Sequence, residues 1–502
     1  MHELTPADIA QLAAIGISQE AAAGQLAQLR NPPPPIRLVR PATIGDGIEQ
    51  FTSANPDESA ALIAEGQAAA EAGRVLKFVP ASGAATRMFQ DLLAAFQGSD
   101  SELDTPAARE FFLRLDDFPF ASELRKRAGV AGTPSTDAQR RTLLRTLLVD
   151  MAMAGLPKAL VPFHRSDRVR TAFEEHLLEA TRYARDAHGV SRVHFTVPPD
   201  ARALFDTMLA QLHPSVESVR RDTRVLVQFS AQSPSTDTLA LDAHGAPFRA
   251  ADGSLLLRPS GHGALLGNLQ SCGGDLVAVK NIDNILPDEA SDEVDRWKRL
   301  LIGRLARLQA DVFAHLVAIT APSPGQDVLE AARLFARTRF ARAVPAGAGR
   351  DQIVNALHRP LRICGVVPND GEPGGAPFWV HGPDGGESLQ IVEPAQVDLD
   401  DAAQANILGS ATHFNPVDLI CGLRDHTGQT YDLARFVDPG TAFVTQKTAD
   451  GRALTALERP GLWNGGMAGW NTSCVEVPAS TFAPVKTVLD LLRPPHQSAV
   501  RS

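Results

Sequence analysis

The sequence predicts an α/β protein, a mixed and mainly parallel sheet flanked by helices and carrying helical insertions. Two observations predict it. Short apolar runs of strand length recur at RVLKFVP (74–80), VHFTV (193–197), RVLVQF (224–229) and LVAV (276–279). Between them lie helix-length stretches, near 170–187 and after Pro198-Pro199-Asp200. Strands alternating with helices of about ten or more residues mean βαβ units and parallel pairing. The length, 502 residues with 44% hydrophobic, supplies two or three domains' worth of chain and a large core.

The elements follow in order. Residues 1–30 read as short amphipathic helices, with Thr5 as cap, Pro6 at the first helical position and Asp8 in the first turn. Asn31-Pro-Pro-Pro-Pro35 imposes an extended spacer, so 31–70 reads as a proline-rich linker and lead-in. A single large domain is expected over 71–490, followed by a tail at 491–502. Within it, RVLKFVP leads through a small-residue turn into the helical MFQDLLAAF. Residues 98–150 and about 290–345 read as mainly helical stretches, and ALVPF (159–163) reads as a strand. Residues 360–395 and 430–480 read as strands mixed with Gly/Pro-rich turns, without internal repeats.

Charge and composition narrow the function. With 48 basic and 58 acidic residues the net charge is −10, which argues against a protein that coats nucleic acid but allows a local basic site for a phosphorylated small molecule. No run approaches the roughly 18 apolar residues of a membrane span. Four cysteines without a CxxC pair fit a reducing compartment. The N-terminus carries acids where a signal peptide needs basic residues, so a cytoplasmic location is expected.

Three features carry chemistry. The first is the turn Ala81-Ser82-Gly83-Ala84-Ala85-Thr86-Arg87 between strand and helix. A helix start offers free N–H groups and a positive dipole end to an anion, and Arg87 adds a forked cation suited to phosphate. The plainer alternative is an ordinary βα turn with a surface arginine; neither GxxxxGK(S/T) nor GxGxxG is present. The second is Arg258-Pro-Ser-Gly261-His262-Gly263, where glycines flanking a histidine permit close backbone approach to a ligand, or form a solvent turn. The third is LVAV running into Lys280-Asn281-Ile282-Asp283-Asn284. An acid at the carboxyl end of a buried strand lies where open α/β sheets bind ligands, and it can hold Mg²⁺; the alternative is an Asp-Asn turn.

Further polar groups are candidates of the same kind. Gln228, Gln232 and the 233–237 loop follow a strand end and suit a base pocket or a plain polar loop. Trp463-Asn464-Gly465-Gly466 and Trp470-Asn471 combine aromatic faces with amides, which suits a sugar ring, although tryptophans in turns also pin cores. Glu393 ends the strand-like LQIVE, placed to bond sugar hydroxyls or simply to end a strand.

Taken in order, these segments resemble the nucleotidyltransferases of the GT-A-like (Rossmann-like) fold, the UDP-sugar pyrophosphorylases above all. FVPASGAATRM is similar to that family's LAGGxGTRM signature, matching at Gly83, Thr86 and Arg87, with Ser82 and Ala85 where the family has glycine. Ala85 is the larger departure, because alanine tolerates a positive φ poorly. PKALVP (157–162) resembles KPLLP, RPSGHG the uracil-contacting PxGHG turn, and NIDN the metal-bearing NxDN. Phe482-Ala-Pro-Val-Lys486 resembles the segment ending in a sugar-phosphate-binding lysine, and Glu393 the acid of a VEY-like segment. The whole chain is closer still to an uncharacterised bacterial family, domain of unknown function 4301, through PASGAATRMF and WNGGMAGWNT.

The resemblance implies a Mg²⁺-dependent transfer of a nucleoside monophosphate from an NTP, UTP in the first instance, to a sugar 1-phosphate. Arg87, Lys158 and Lys486 would be catalytic and Asp283 would hold the metal. Residues 81–86, Gln228 and 261–263 would bind the nucleotide, and Glu393, Asn464, Gly465 and Asn471 the sugar. Small-molecule substrates are the implied partners; the oligomeric state is not readable. The alternatives are a GT-A-type glycosyltransferase, disfavoured by the lack of a clear DxD, and a nucleotide-sugar sensor without turnover.

Overall fold

The computed structural model describes residues 4–51, 55–98, 103–219, 222–371, 374–382 and 386–497. They fall into two compact units: one formed by residues up to Gly66, Gln232–Val279 and Leu301–Val477, the other by Gln67–Ala231, Lys280–Leu300 and the chain from Pro478 on.

The second unit holds the expected βαβ pattern. Strands Val75–Pro80, Val190–Thr196 and Arg224–Ser230 run parallel, with Val190–Thr196 in the middle. Val75–Pro80 is buried along almost its whole length, as a strand covered on both faces must be. Helix Ala172–Tyr183 begins at Thr171, whose hydroxyl accepts from the Glu174 N–H. It is buried nearly all round, so Glu174, Glu175, His176 and Glu179 lie inside the protein. Phe173, Phe195, Phe205 and Phe229 pack with ring centroids 4.7–6.1 Å apart and form one side of the core.

Helices Pro106–Leu113, Ala121–Ala128 and Asp137–Arg145 occupy the expected insertion and bury Phe111, Phe112, Leu124 and Leu144 in that core. ALVPF is not a strand throughout. A 3-10 turn covers Lys158–Leu160 and the strand runs Pro162–Arg165, because Pro157 and Pro162 fix φ and withhold donors at both ends of the segment.

The first unit opens with helices Pro6–Ala14 and Gln19–Arg30; Thr5 and Asp8 form a capping box around Pro6. Its main sheet has the strand order Thr43–Ile44, Gly47–Glu49, Asn471–Glu476, Leu361–Pro368, His413–Gly422 and Leu276–Lys280. The pairings from Thr43–Ile44 to Leu361–Pro368 are parallel, and Leu361–Pro368 meets His413–Gly422 antiparallel. Two small sheets complete the unit: Leu38–Pro41 with Ala376–His381 and Glu387–Val392, and Phe443–Ala449 with Arg452–Glu458 and Ala240–Leu241. Helices Asp292–Thr320 and Gln326–Phe340 account for the second helical stretch. The class is the expected one, mixed α/β with mainly parallel strands and helical insertions.

Candidate active site

The turn after Val75–Pro80 is held by main-chain bonds. The Ala81 N–H donates to the Thr196 carbonyl (2.9 Å), the Ala85 N–H to Leu156 (2.9 Å), and the Lys158 N–H to Gly83 (2.9 Å). The Thr86 hydroxyl donates to the Ala154 carbonyl at 3.0 Å. Between these anchors the N–H groups of Ser82, Gly83 and Ala84 have no acceptor among the described residues, and all three residues are exposed. A 3-10 turn, Ala85–Arg87, and helix Gln90–Gln97 follow.

Ala85 does not have a positive φ, and a Cβ built on Gly83 would meet nothing within 4 Å. The turn therefore takes its shape without the glycines of the signature it resembles. Arg87 is exposed and its guanidinium has no partner among the described residues.

Lys158, which the same bonds tie to the turn, reaches Asp283. Its Nζ lies 3.0 Å from Asp283 Oδ2, with both side chains 14% exposed. Lys486 Nζ lies 3.6 Å from the same oxygen. Asp283 is placed by three contacts in its own loop: Val485 N–H to the Asp283 carbonyl (3.0 Å), Ala483 N–H to Asn284 Oδ1 (3.1 Å), and His176 Nε2 to the Ile282 carbonyl (3.1 Å). Three residues distant in sequence thus meet at one carboxylate, with two cations around one anion. Asp283 Oδ1 has no partner among the described residues. One free carboxylate oxygen fits Mg²⁺, which takes one or two carboxylates and completes its shell with water and substrate phosphates.

A buried charge network in the same unit escaped the sequence reading. Lys77 and Lys280 both bind Glu179, at 2.9 Å to Oε1 and 2.6 Å to Oε2, and the Tyr183 hydroxyl donates to Oε1 at 3.1 Å. Lys77 also donates to the His176 carbonyl. Burial pushes the Glu179 carboxyl up, but the two ammonium groups override it and hold it well below the carboxylate range. Burial draws Lys77 down to about 8 against the pull of Glu179. His176 stays neutral for the same reason, buried beside Lys77. The signal available in the sequence was a lysine inside an apolar strand run.

The remaining candidates divide. Gln228 is exposed on strand Arg224–Ser230, 3.4 Å from His194 Nδ1. In the other unit, His262, Glu393, Asn464 and Gly465 come together. The His262 ring stacks on Trp463 at 3.9 Å and 6°. Its Nδ1 accepts from the Leu462 N–H (2.9 Å), so the proton of the neutral ring sits on Nε2, 3.8 Å from Glu393 Oε1. Burial lowers His262 to about 4 and raises Glu393.

Close packing explains the glycines here. A Cβ on Gly263 would sit 2.4 Å from the Pro460 carbonyl oxygen, and one on Gly465 1.6 Å from Thr441 Oγ1. Gly261 has φ +66°. Asn464 donates to the Ile391 carbonyl (3.0 Å) while its Oδ1 is buried with no partner among the described residues. The cavity bounded by 260–263, Glu393 and Asn464 is only about 50 Å³, room for water rather than a ring. A neighbouring cleft of about 640 Å³ takes in Asn464, Gly465, Gln390 and Arg435. Asn471 is not part of this group. It is fully buried, donating to the Ala356 carbonyl and accepting from Arg342, and serves packing.

Fold and cluster together define an α/β protein in which two lysines distant in sequence meet at one aspartate. The family described as Domain of unknown function (DUF4301) matches residues 5–497, and the chain belongs to it. No curated protein matches the chain in sequence. Among solved structures, the UDP-N-acetylglucosamine pyrophosphorylase of Trypanosoma brucei in complex with an inhibitor is similar over 98% of this chain and 82% of its own, at 14% identity and TM-score 0.49. A mutant UDP-glucose pyrophosphorylase of Leishmania major is similar over 99% and 82%, at 15% identity and TM-score 0.46. No helix of the described residues is long and apolar enough to cross a membrane.

Proposed function

We propose that the chain is a nucleotidyltransferase that joins a nucleoside triphosphate, UTP in the first instance, to a sugar 1-phosphate and releases pyrophosphate. The observation that carries this reading is the convergence of Lys158 and Lys486 on Asp283, in the same unit as a turn where three N–H groups and Arg87 have no partner among the described residues.

In the reaction, an oxygen of the sugar 1-phosphate forms a bond to the α-phosphorus while the bond to the bridging oxygen of the leaving pyrophosphate breaks. The attacking phosphate is already ionised near neutral pH, so no general base is required. Positioning and charge stabilisation are what remain for the protein to do. The N–H groups of Ser82, Gly83 and Ala84 would receive phosphate oxygens, and Arg87 the leaving pyrophosphate. Lys158 would neutralise charge that grows at the α-phosphoryl group, and Lys486 would hold the incoming sugar phosphate. Asp283 would hold Mg²⁺, which supplies charge neutralisation across the phosphates. The sequence resemblance also assigns Gln228, in the same unit, to the nucleobase.

The test is pyrophosphate release from UTP and Mg²⁺ across a panel of sugar 1-phosphates. Turnover with one acceptor, lost on omitting it, supports the reading. UTP binding without turnover on any acceptor would point to a sensor, and absence of nucleotide binding would remove the proposal.

A further inference from the structure

The first unit carries a cluster that the proposed chemistry does not use. His358, Asp425 and His426 each direct a ligand atom into one spot, with the three atoms within 4.8 Å of one another. His358 Nε2 and Asp425 Oδ2 are 3.3 Å apart, about the separation that two ligands take around a tetrahedral zinc at bonds of roughly 2.0–2.1 Å.

The local chain fixes these groups before any ion arrives. His358 caps the C-terminus of helix Arg350–Leu357, its N–H bonded to the Val354 carbonyl. Asp425 opens a tight turn after strand His413–Gly422. Its Oδ1 accepts from the Thr427 N–H (2.8 Å), the Thr427 hydroxyl (2.6 Å) and the Gln429 N–H (3.0 Å). The carboxylate is thereby locked with Oδ2 left for His358, as outer hydrogen bonds orient metal-binding carboxylates.

Two neighbouring polar atoms lack partners among the described residues: His426 Nδ1 and the hydroxyl of Tyr431. Tyr431 is only 6% exposed, with its ring 5.2 Å from that of His358. A buried hydroxyl left unbonded costs free energy that a ligand or its bound water would recover. His358 remains 38% exposed, which leaves a path from solvent.

We propose that His358, Asp425 and His426 form a binding site for a borderline divalent cation of the Zn²⁺ type, joining the end of one helix to the turn after a strand. Two imidazoles and one carboxylate suit Zn²⁺ or Co²⁺ and do not suit Mg²⁺, which prefers oxygen alone. The site is independent of the nucleotidyltransferase reading and stands or falls by itself.

The experiment uses full-length, untagged protein stripped with a chelator and titrated with Zn²⁺ against a chromophoric competitor. One equivalent should bind, and a tenfold excess of Mg²⁺ should not displace it. The triple variant His358→Ala, Asp425→Asn, His426→Ala should lose that equivalent. Tyr431→Phe should weaken binding by roughly tenfold, the lower end of what an outer partner contributes. X-ray absorption at the zinc edge of the wild-type protein should show two imidazoles with oxygen, a result that does not depend on any variant folding. Retention of the equivalent in the triple variant, a ligand shell without imidazole, or no stoichiometric Zn²⁺ binding would each overturn the proposal.

Discussion

At the scale of single residues, Lys158 and Asp283 decide the proposed chemistry. Lys158→Ala should lower turnover about a hundredfold, the usual cost of removing one preorganised charge donor, or ~3 kcal/mol. Asp283→Asn should lower it at least as much and weaken the dependence on Mg²⁺. Steady-state rates, with circular dichroism to verify folding, check both; unchanged turnover in either would remove that residue from its role. These residues were legible as short motifs, PKALVP and NIDN, and only the family resemblance joined them in one site, since no local pattern spans the 125 positions between them. Lys77 illustrates the opposite case. It was hidden inside an apolar run because its partner Glu179 lies on a helix about a hundred positions later.

The helix Ala172–Tyr183 gives predictions at the scale of an element. Glu179→Gln leaves Lys77 and Lys280 buried without their counter-ion and should destabilise the protein by about 3–5 kcal/mol, read from urea unfolding. On the same helix Glu175 Oε1 lies 3.1 Å from His164 Nδ1, and His164 Nε2 lies 2.9 Å from His496 Nδ1. Burial raises Glu175 from 4.5 to about 8 and lowers both histidines from 6.5 to about 3. Between pH 4.5 and 6.5 the unfolded chain gains two imidazole protons and lacks the Glu175 proton, so this cluster makes stability rise with pH. From 6.5 to 8 only Glu175 differs, the folded state holds the extra proton, and stability falls. Glu175→Gln, which mimics the neutral acid, should abolish the fall above pH 6.5 in denaturation midpoints.

Close packing makes the third case at this scale. A Cβ at Gly303 would lie 1.8 Å from the Leu62 carbonyl oxygen, so Gly303→Ala should cost about 1–3 kcal/mol by the same measurement. Strands read best where they were continuous and apolar, as at Val75–Pro80 and Leu276–Lys280. Thr43–Ile44 and Gly47–Glu49 went unread because two or three residues carry no periodicity.

For the whole molecule, nucleotide binding should appear as added stability. UTP with Mg²⁺ at about a hundred times its dissociation constant should contribute ~2.7 kcal/mol, seen as a raised melting temperature that ATP raises less. The −10 net charge coexists with a local site in which two lysines, Lys158 and Lys486, meet the single carboxylate of Asp283. The order of strands and the division into two units left no mark in composition, because non-local pairing is written in no single window of sequence. The turn after Val75–Pro80 leaves the N–H groups of Ser82, Gly83 and Ala84 without an acceptor among the described residues. Its free donors are amide protons that every residue except proline possesses, and its backbone stays out of the region reserved for glycine. Such a loop can exchange side chains at 82 and 84 without losing its donors, so the anion binding proposed for it does not depend on the identity of those residues. Kinship in loops of this kind is better sought in main-chain geometry than in letters.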